Sequence, residues 1–178
     1  MVEKCLQHNR QAQHELYLRF SYMMKGICLR YAVNEVEAED ILQDSFIKAF
    51  GSLKSYNAQG ALGGWLRRIT VNTALMQYRK NKALKSLKTV NDYAEVQSTV
   101  EDGAIEQLEL ESLLEKIQQL PTGFRTVFNL YAVEGFTHKE IGEMLDVSEG
   151  TSKSQYSRAR VFLRKMIEAE QKKLKYAK

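Results

Sequence analysis

Lys153, Ser154, Gln155, Ser157 and Arg158 put two cations, two hydroxyls and an amide within one short segment. Such side chains hydrogen-bond base edges and phosphate oxygens rather than make or break covalent bonds. The residues around them fit a helix-turn-helix over 137–160. Ile141, Met144 and Leu145 recur at helical spacing and give a first helix one apolar face. Asp146 stands where a tight turn needs a short residue that tolerates left-handed backbone. Ser148 suits the N-cap of the next helix, and Glu149 suits its positive end. The polar and cationic residues then line the early turns of that second helix, where recognition helices contact DNA. A solvated face of an ordinary charged helix is the competing explanation.

The charge pattern extends this beyond one motif. The net charge is only +4, yet residues 45–91 hold nine basic residues and no acid. Residues 92–120 reverse the sign, with eight acids against Lys116 alone. The segment from Thr151 onward is basic again. Two basic blocks around an acidic one suggest two polyanion-binding surfaces joined by a linker that DNA repels.

Other chemistries find little support. Cys5 and Cys28 lack CxxC spacing and a histidine cluster, so they read as reduced thiols, with no metal site. His8, His14 and His138 are dispersed. The acidic pair Asp40 and Asp44 sits among aromatics without a partnering histidine, unlike the carboxylate cluster of a nuclease or recombinase. A Walker-type phosphate loop is absent. We therefore expect no catalytic residues and no cofactor. The N-terminus lacks a signal-peptide profile, and no apolar run is long enough to span a bilayer, which points to a cytoplasmic chain without membrane insertion.

With one proline and Ala/Leu/Lys/Glu-rich segments, the chain reads as all-α. Residues 12–31 form a broadly apolar helix expected in a core. Asn34 caps a second helix to about Phe50, broken at Gly51. Residues 60–64 are a glycine-rich loop, and a helix follows from Trp65 to about Lys82. Residues 91–104 are read as a linker between a first domain (1–90) and a second (105–178). There Pro121 interrupts the helices, Thr122 starts a helix that stops at Gly135, and the last helix runs to about Gln171.

In the acid-free block, Trp65 and Tyr78 are flanked by cations, as in proteins that stack unpaired bases. Arg68, Asn72 and Arg79 share one helix face with Trp65. The preceding loop, with Tyr56 and Asn57, fits a pocket for an extruded base. The aromatics fit a plain core equally well. On the second helix, Asp40, Gln43 and Asp44 form a row that Phe46 and Phe50 extend, which suits a protein partner with a basic complement. A solvated face at a core edge fits too.

Four segments in order, 37–50 (EAEDILQDSFIKAF), 63–80 (GGWLRRITVNTALMQYRK), 120–145 (LPTGFRTVFNLYAVEGFTHKEIGEML) and 148–160 (SEGTSKSQYSRAR), resemble the extracytoplasmic-function (ECF) sigma factors of bacteria. The resemblance implies a helical sigma-2 domain, a flexible linker and a sigma-4 helix-turn-helix domain. It implies binding to core RNA polymerase through its β and β′ subunits, and to promoter DNA. Asp40, Gln43, Asp44, Phe46 and Phe50 match the face that meets polymerase. Tyr56, Asn57, Trp65, Arg68, Asn72, Arg79 and Lys82 match the part that recognises and opens the minus-ten element. Lys153, Ser154, Gln155, Ser157 and Arg158 match the helix that reads the minus-thirty-five element. An anti-sigma factor, often membrane-tethered, is a further partner the resemblance implies. Gly142 departs from the family's usual alanine at about 1 kcal/mol of helix propensity, for no reason visible in the sequence. A helix-turn-helix regulator without sigma activity remains the alternative, although it leaves the acid-free block unexplained.

Overall fold

The structure is a computed structural model that describes residues 1–87 and 105–176. The linker read at 91–104 lies outside the described residues. The chain divides into two compact units, Met1–Val90 and Asn91–Lys178. Among the described residues every regular element is a helix.

In the first unit α1 (Val2–Leu6) leads into α2 (Arg10–Tyr31), α3 (Glu35–Ser52), a 3₁₀ turn (Leu53–Ser55) and α4 (Leu62–Leu87). Helices α2, α3 and α4 pack on one another in all three pairings. Asn9 and Asn34 start two of them: the Asn9 side chain accepts from the Ala12 N–H at 3.0 Å, and that of Asn34 from the Glu37 N–H at 2.8 Å. Each satisfies a donor that the helix leaves unmet. Leu16, Met24, Ile27, Ile41, Phe46, Leu66 and Leu75 fill the core. Polar residues inside it are matched locally. The buried Ser45 and Thr70 hydroxyls donate to the carbonyls of Ile41 and Leu66, four residues back, at 2.6 and 2.9 Å. Both cysteines are free and buried.

Two expectations change here. Helix α2 is not core throughout: Tyr22 is 85% and Leu18 60% exposed, because a 22-residue helix flanked by two partners turns one side outward. Helix α4 starts at Leu62 rather than Trp65. The Gly64 and Trp65 N–H groups already donate to the Ala61 carbonyl, at 3.0 and 3.3 Å. Gly63 lies within the first turn of α4 beside the Phe20 ring, where a Cβ would stand at an ordinary contact distance of 3.4 Å.

The second unit comprises α5 (Ile105–Gln118), α6 (Thr122–Phe128), a π-helical turn (Asn129–Val133), α7 (His138–Leu145) and α8 (Glu149–Tyr176). Ile117, Leu120, Ala159 and Leu163 form one buried cluster, with Phe124, Phe128 and Met166 against it. The helix begun at Thr122 therefore widens to a π turn after Phe128 instead of continuing as α to Gly135. The Glu134 N–H reaches back five residues to the Asn129 carbonyl at 2.9 Å, and Gly135 takes a φ of +81°. Arg125, 2% exposed, anchors the turn between α5 and α6 by donating to the Gln118 carbonyl at 3.0 Å.

Candidate nucleic-acid interface

Helices α7 and α8 make the expected helix-turn-helix, and local chemistry accounts for each joint. Thr137 and Glu140 form a capping box: the Thr137 side chain accepts from the Glu140 N–H, and Glu140 Oε2 accepts from the Thr137 N–H at 2.8 Å. Hydrogen bonds from Thr137 hold the Glu140 carboxyl below the usual range. The Thr-x-x-Glu spacing is the sequence signal of this cap. Asp146 adopts φ 55° and ψ 55°, the left-handed turn expected of it. Ser148 Oγ accepts from the Thr151 N–H at 3.0 Å and caps α8.

Gly142 gains a reason in this turn. The Val147 N–H donates to the Gly142 carbonyl at 3.0 Å, so the chain folds back tightly over the end of α7. A Cβ on Gly142 would lie 2.8 Å from the Val147 carbonyl oxygen. The glycine permits that close approach.

On α8, Ser152, Ala159 and Leu163 face the core. Lys153, Ser154, Ser157 and Arg158 are all exposed, as a row of i and i+4 neighbours opposite that buried side. Gln155 is half-buried at the flank of the core row, because each residue advances about 100° around the helix. Lys153 is held within α8 by Glu149, with Nζ 2.6 Å from Oε1. That hydrogen bond and then the lysine's charge keep the Glu149 carboxyl below its ordinary range. Ser154 Oγ donates to the Thr151 carbonyl at 2.9 Å, which orients its lone pairs.

In the first unit Arg68, Asn72, Arg79 and Lys82 are exposed on α4, and Trp65 is half-buried. The Trp65 ring packs against Tyr56, with centroids 5.6 Å apart. Tyr56 Oη donates to the Gly60 carbonyl at 2.7 Å, and Asn57 Oδ1 accepts from the Gln59 N–H at 3.1 Å. These bonds close the loop that precedes α4, and Ala58 at φ 58° and Gly60 at φ 104° make the bend. Loop and helix thus share one aromatic corner next to Arg68. Tyr78 is half-buried, and burial pushes its phenol up.

The acidic face on α3 needs one correction. Asp40, Gln43 and Asp44 are exposed, but Phe46 is 4% exposed and Phe50 half-buried. The Phe46 ring lies between those of Tyr17, at 4.7 Å, and Phe50, at 6.0 Å, tilted to both. The apolar residues that do accompany the acids outward are Val36 and Ile47, 70% and 68% exposed, spaced four before Asp40 and four after Gln43. Among the described residues no group of His, Cys, Asp or Glu is arranged to hold a metal ion, and no helix is long and apolar enough to cross a membrane.

Comparison with known proteins gives these two units a family. Residues 16–84 match the model of Sigma-70 region 2, and residues 110–163 that of Sigma-70 region 4. The chain is 31% identical to the ECF RNA polymerase sigma-E factor of Haemophilus influenzae, over 94% of each chain. It is 31% identical to the ECF sigma factor SigW of Bacillus subtilis, over 79% of this chain and 81% of that one. Among solved structures, the sigma factor RpoE of Bartonella quintana, in complex with the anti-sigma factor NepR, shares the fold with a TM-score of 0.56 at 22% identity, covering 87% of this chain and 96% of that one. CnrH in complex with the cytosolic domain of CnrY gives 0.50 at 22% identity, covering 94% and 95%. With a region 2 unit carrying α2–α4 and a region 4 unit carrying the helix-turn-helix, the chain belongs to the ECF RNA polymerase sigma factors.

Proposed function

We propose that the two units divide promoter recognition between duplex and unpaired DNA. The exposed row Lys153, Ser154, Ser157 and Arg158 on α8 enters the major groove at the minus-thirty-five element, where phosphate contacts fix register and a few base contacts select sequence. Arg68, Asn72, Arg79 and Lys82 on α4 hold the backbone of one strand at the minus-ten element. The Tyr56–Trp65 corner with Asn57 receives a base drawn out of the stack. Asp40, Gln43 and Asp44 select a basic surface on the polymerase β′ subunit, and Val36 and Ile47 supply the apolar contact. Gln155, at the flank of α8, acts as a peripheral contact.

The observation that carries this reading is the aromatic corner beside an exposed cationic row. Opening DNA costs about 1.4 kcal/mol per base-pair step in lost stacking. A base stacked on an aromatic side chain returns about 1–3 kcal/mol. Those magnitudes are close enough that a small protein held by polymerase tips the balance without covalent chemistry. The protein acts in the cytoplasm, where polymerase and DNA are. An anti-sigma factor is the proposed regulator, a partner that the Bartonella quintana relative was solved with.

The test is transcription by core polymerase reconstituted with the purified chain, read together with permanganate reactivity of unpaired thymines. Start-site-directed transcripts with reactivity at the minus-ten element are expected. Random initiation, the same as with core polymerase alone, overturns the reading.

A further inference from the structure

Ser152 adjoins Lys153 but faces the opposite way and is fully buried. Its Oγ lies 2.9 Å from Nδ1 of His138, at the start of α7. The His138 ring is stacked on Tyr131, with centroids 4.2 Å apart and planes 8° from parallel. Tyr156 of α8 closes the cluster, 4.5 Å from Tyr131 and 5.8 Å from His138. One imidazole therefore touches the π turn and α8 while standing on α7.

This contact differs in kind from apolar packing. Ile141 and Leu145 on α7, like Ala159 and Leu163 on α8, are buried apolar residues, and the attraction such residues supply has little directional preference. A helix seated on such contacts rolls slightly about its axis at small cost. A hydrogen bond resists the roll, because it weakens steeply away from its preferred angle and length. The roll matters on the far side of α8. With side chains, a helix has a radius of about 5–6 Å, so a 10° roll displaces its outer row by about 1 Å. Bidentate contacts to base edges do not survive such a shift.

We propose that the His138–Ser152 hydrogen bond is a rotational lock on α8, and that His138 is a positioning residue that sets base discrimination without touching DNA. The proposal rests on the reading that α8 enters the major groove. It gives a role to a histidine that sequence alone left as one of three scattered imidazoles.

The experiment uses the full chain bound to core polymerase. It measures affinity for a promoter duplex with the preferred minus-thirty-five element and for the same duplex with single base changes there. The readout is the ratio of the two affinities, which does not depend on the fraction of active protein. His138→Ala and Ser152→Ala are each expected to lower that ratio about tenfold, and the double variant to lower it no further, since both remove one bond. His138→Asn, whose amide occupies the Nδ1 position, is expected to stay within about twofold of the original. The proposal is overturned if the two alanine variants discriminate as the parent does while Arg158→Ala does not, or if their losses multiply. A parent chain with no preference at the minus-thirty-five element overturns the reading of α8, and the lock falls with it.

Discussion

Glu37 and Asn81, 44 positions apart, are joined by a hydrogen bond in which Asn81 Nδ2 donates to Glu37 Oε1 at 2.5 Å. The second oxygen of the same carboxylate accepts from the Val33 N–H, also at 2.5 Å. One half-buried side chain thus closes the turn between α2 and α3 and pins the distal part of α4, between Arg79 and Lys82. The proposed DNA-facing helix is held by this polar tie as well as by its apolar side.

Breaking that tie is expected to loosen the first unit. Hydrogen bonds to a charged group contribute about 1.5–3 kcal/mol. Glu37→Ala removes both acceptors and should lower stability by about that amount in urea unfolding. Asn81→Ala removes one and should cost less, near 1 kcal/mol. Equal stability for the parent and both variants would show that water replaces the bond at no cost.

Gly142→Ala sets two effects against each other. Helix propensity favours alanine by about 1 kcal/mol. The added Cβ meets the Val147 carbonyl oxygen at 2.8 Å, and that oxygen belongs to a turn already fixed by the bond from the Val147 N–H to the Gly142 carbonyl. Overpacking costs about 1–3 kcal/mol, and more where backbone has to yield. The clash wins, so the variant should unfold at lower denaturant concentration than the parent. A gain in stability would mean that the turn relaxes freely.

Much of the second unit was legible because its signals are local. Asp146 in a left-handed turn, Ser148 as a cap and the Ile141–Leu145 face each depend on residues within one helical turn. Phe46 was misplaced for the opposite reason. Its spacing from Gln43 fits an outward row, whereas its burial involves a ring contact with Tyr17 of another helix, which spacing along α3 does not show. Ile47 went unnoticed because an exposed isoleucine breaks the composition rule that periodicity arguments rely on. The Gly63–Gly64 pair reads as loop in the sequence, yet both glycines lie within the first turn of α4. The His138–Ser152 contact spans two helices and has no sequence signal.

The α3 face offers a discriminating pair of substitutions. Asp44 is exposed, so Asp44→Lys should leave the melting temperature almost unchanged while abolishing association with core polymerase, through charge reversal against a basic partner. Phe46 is buried, so Phe46→Ala should cost about 3–5 kcal/mol of stability through the cavity it leaves. Pull-down and thermal melts on both proteins check the assignment. Full polymerase binding by Asp44→Lys would remove this face from the interface.

Cys28 carries a pH prediction. Burial pushes its thiol from the ordinary 9.0 up to about 12. The folded state therefore keeps a proton that the unfolded state releases above pH 9.0. Stability from this group is fully present below pH 9.0 and is lost progressively as pH rises toward about 12. Cys28→Ala should flatten the alkaline fall in unfolding free energy. The native thiol should also resist a disulfide reagent at pH 8 and react only after denaturation, since the thiolate is the reactive form. Rapid native labelling would show that the helices open around it.

Arg158 and Lys153 lie on the same outer face of α8, yet their surroundings predict different losses. Lys153 already spends one hydrogen bond on Glu149, at 2.6 Å, and a compact ammonium suits a phosphate as a point charge. Lys153→Ala should weaken binding to all duplexes about equally and reduce the slope of affinity against salt by about one ion. Arg158 presents a planar fork that matches the O6 and N7 edge of a guanine. Arg158→Ala should cost about 1–3 kcal/mol on the preferred minus-thirty-five element and much less on a duplex changed at the contacted base. Binding isotherms on the two duplexes across a salt series separate the cases. An equal loss on both duplexes would reassign Arg158 to the phosphate backbone and leave Ser154 and Ser157 as the base-reading residues of the helix.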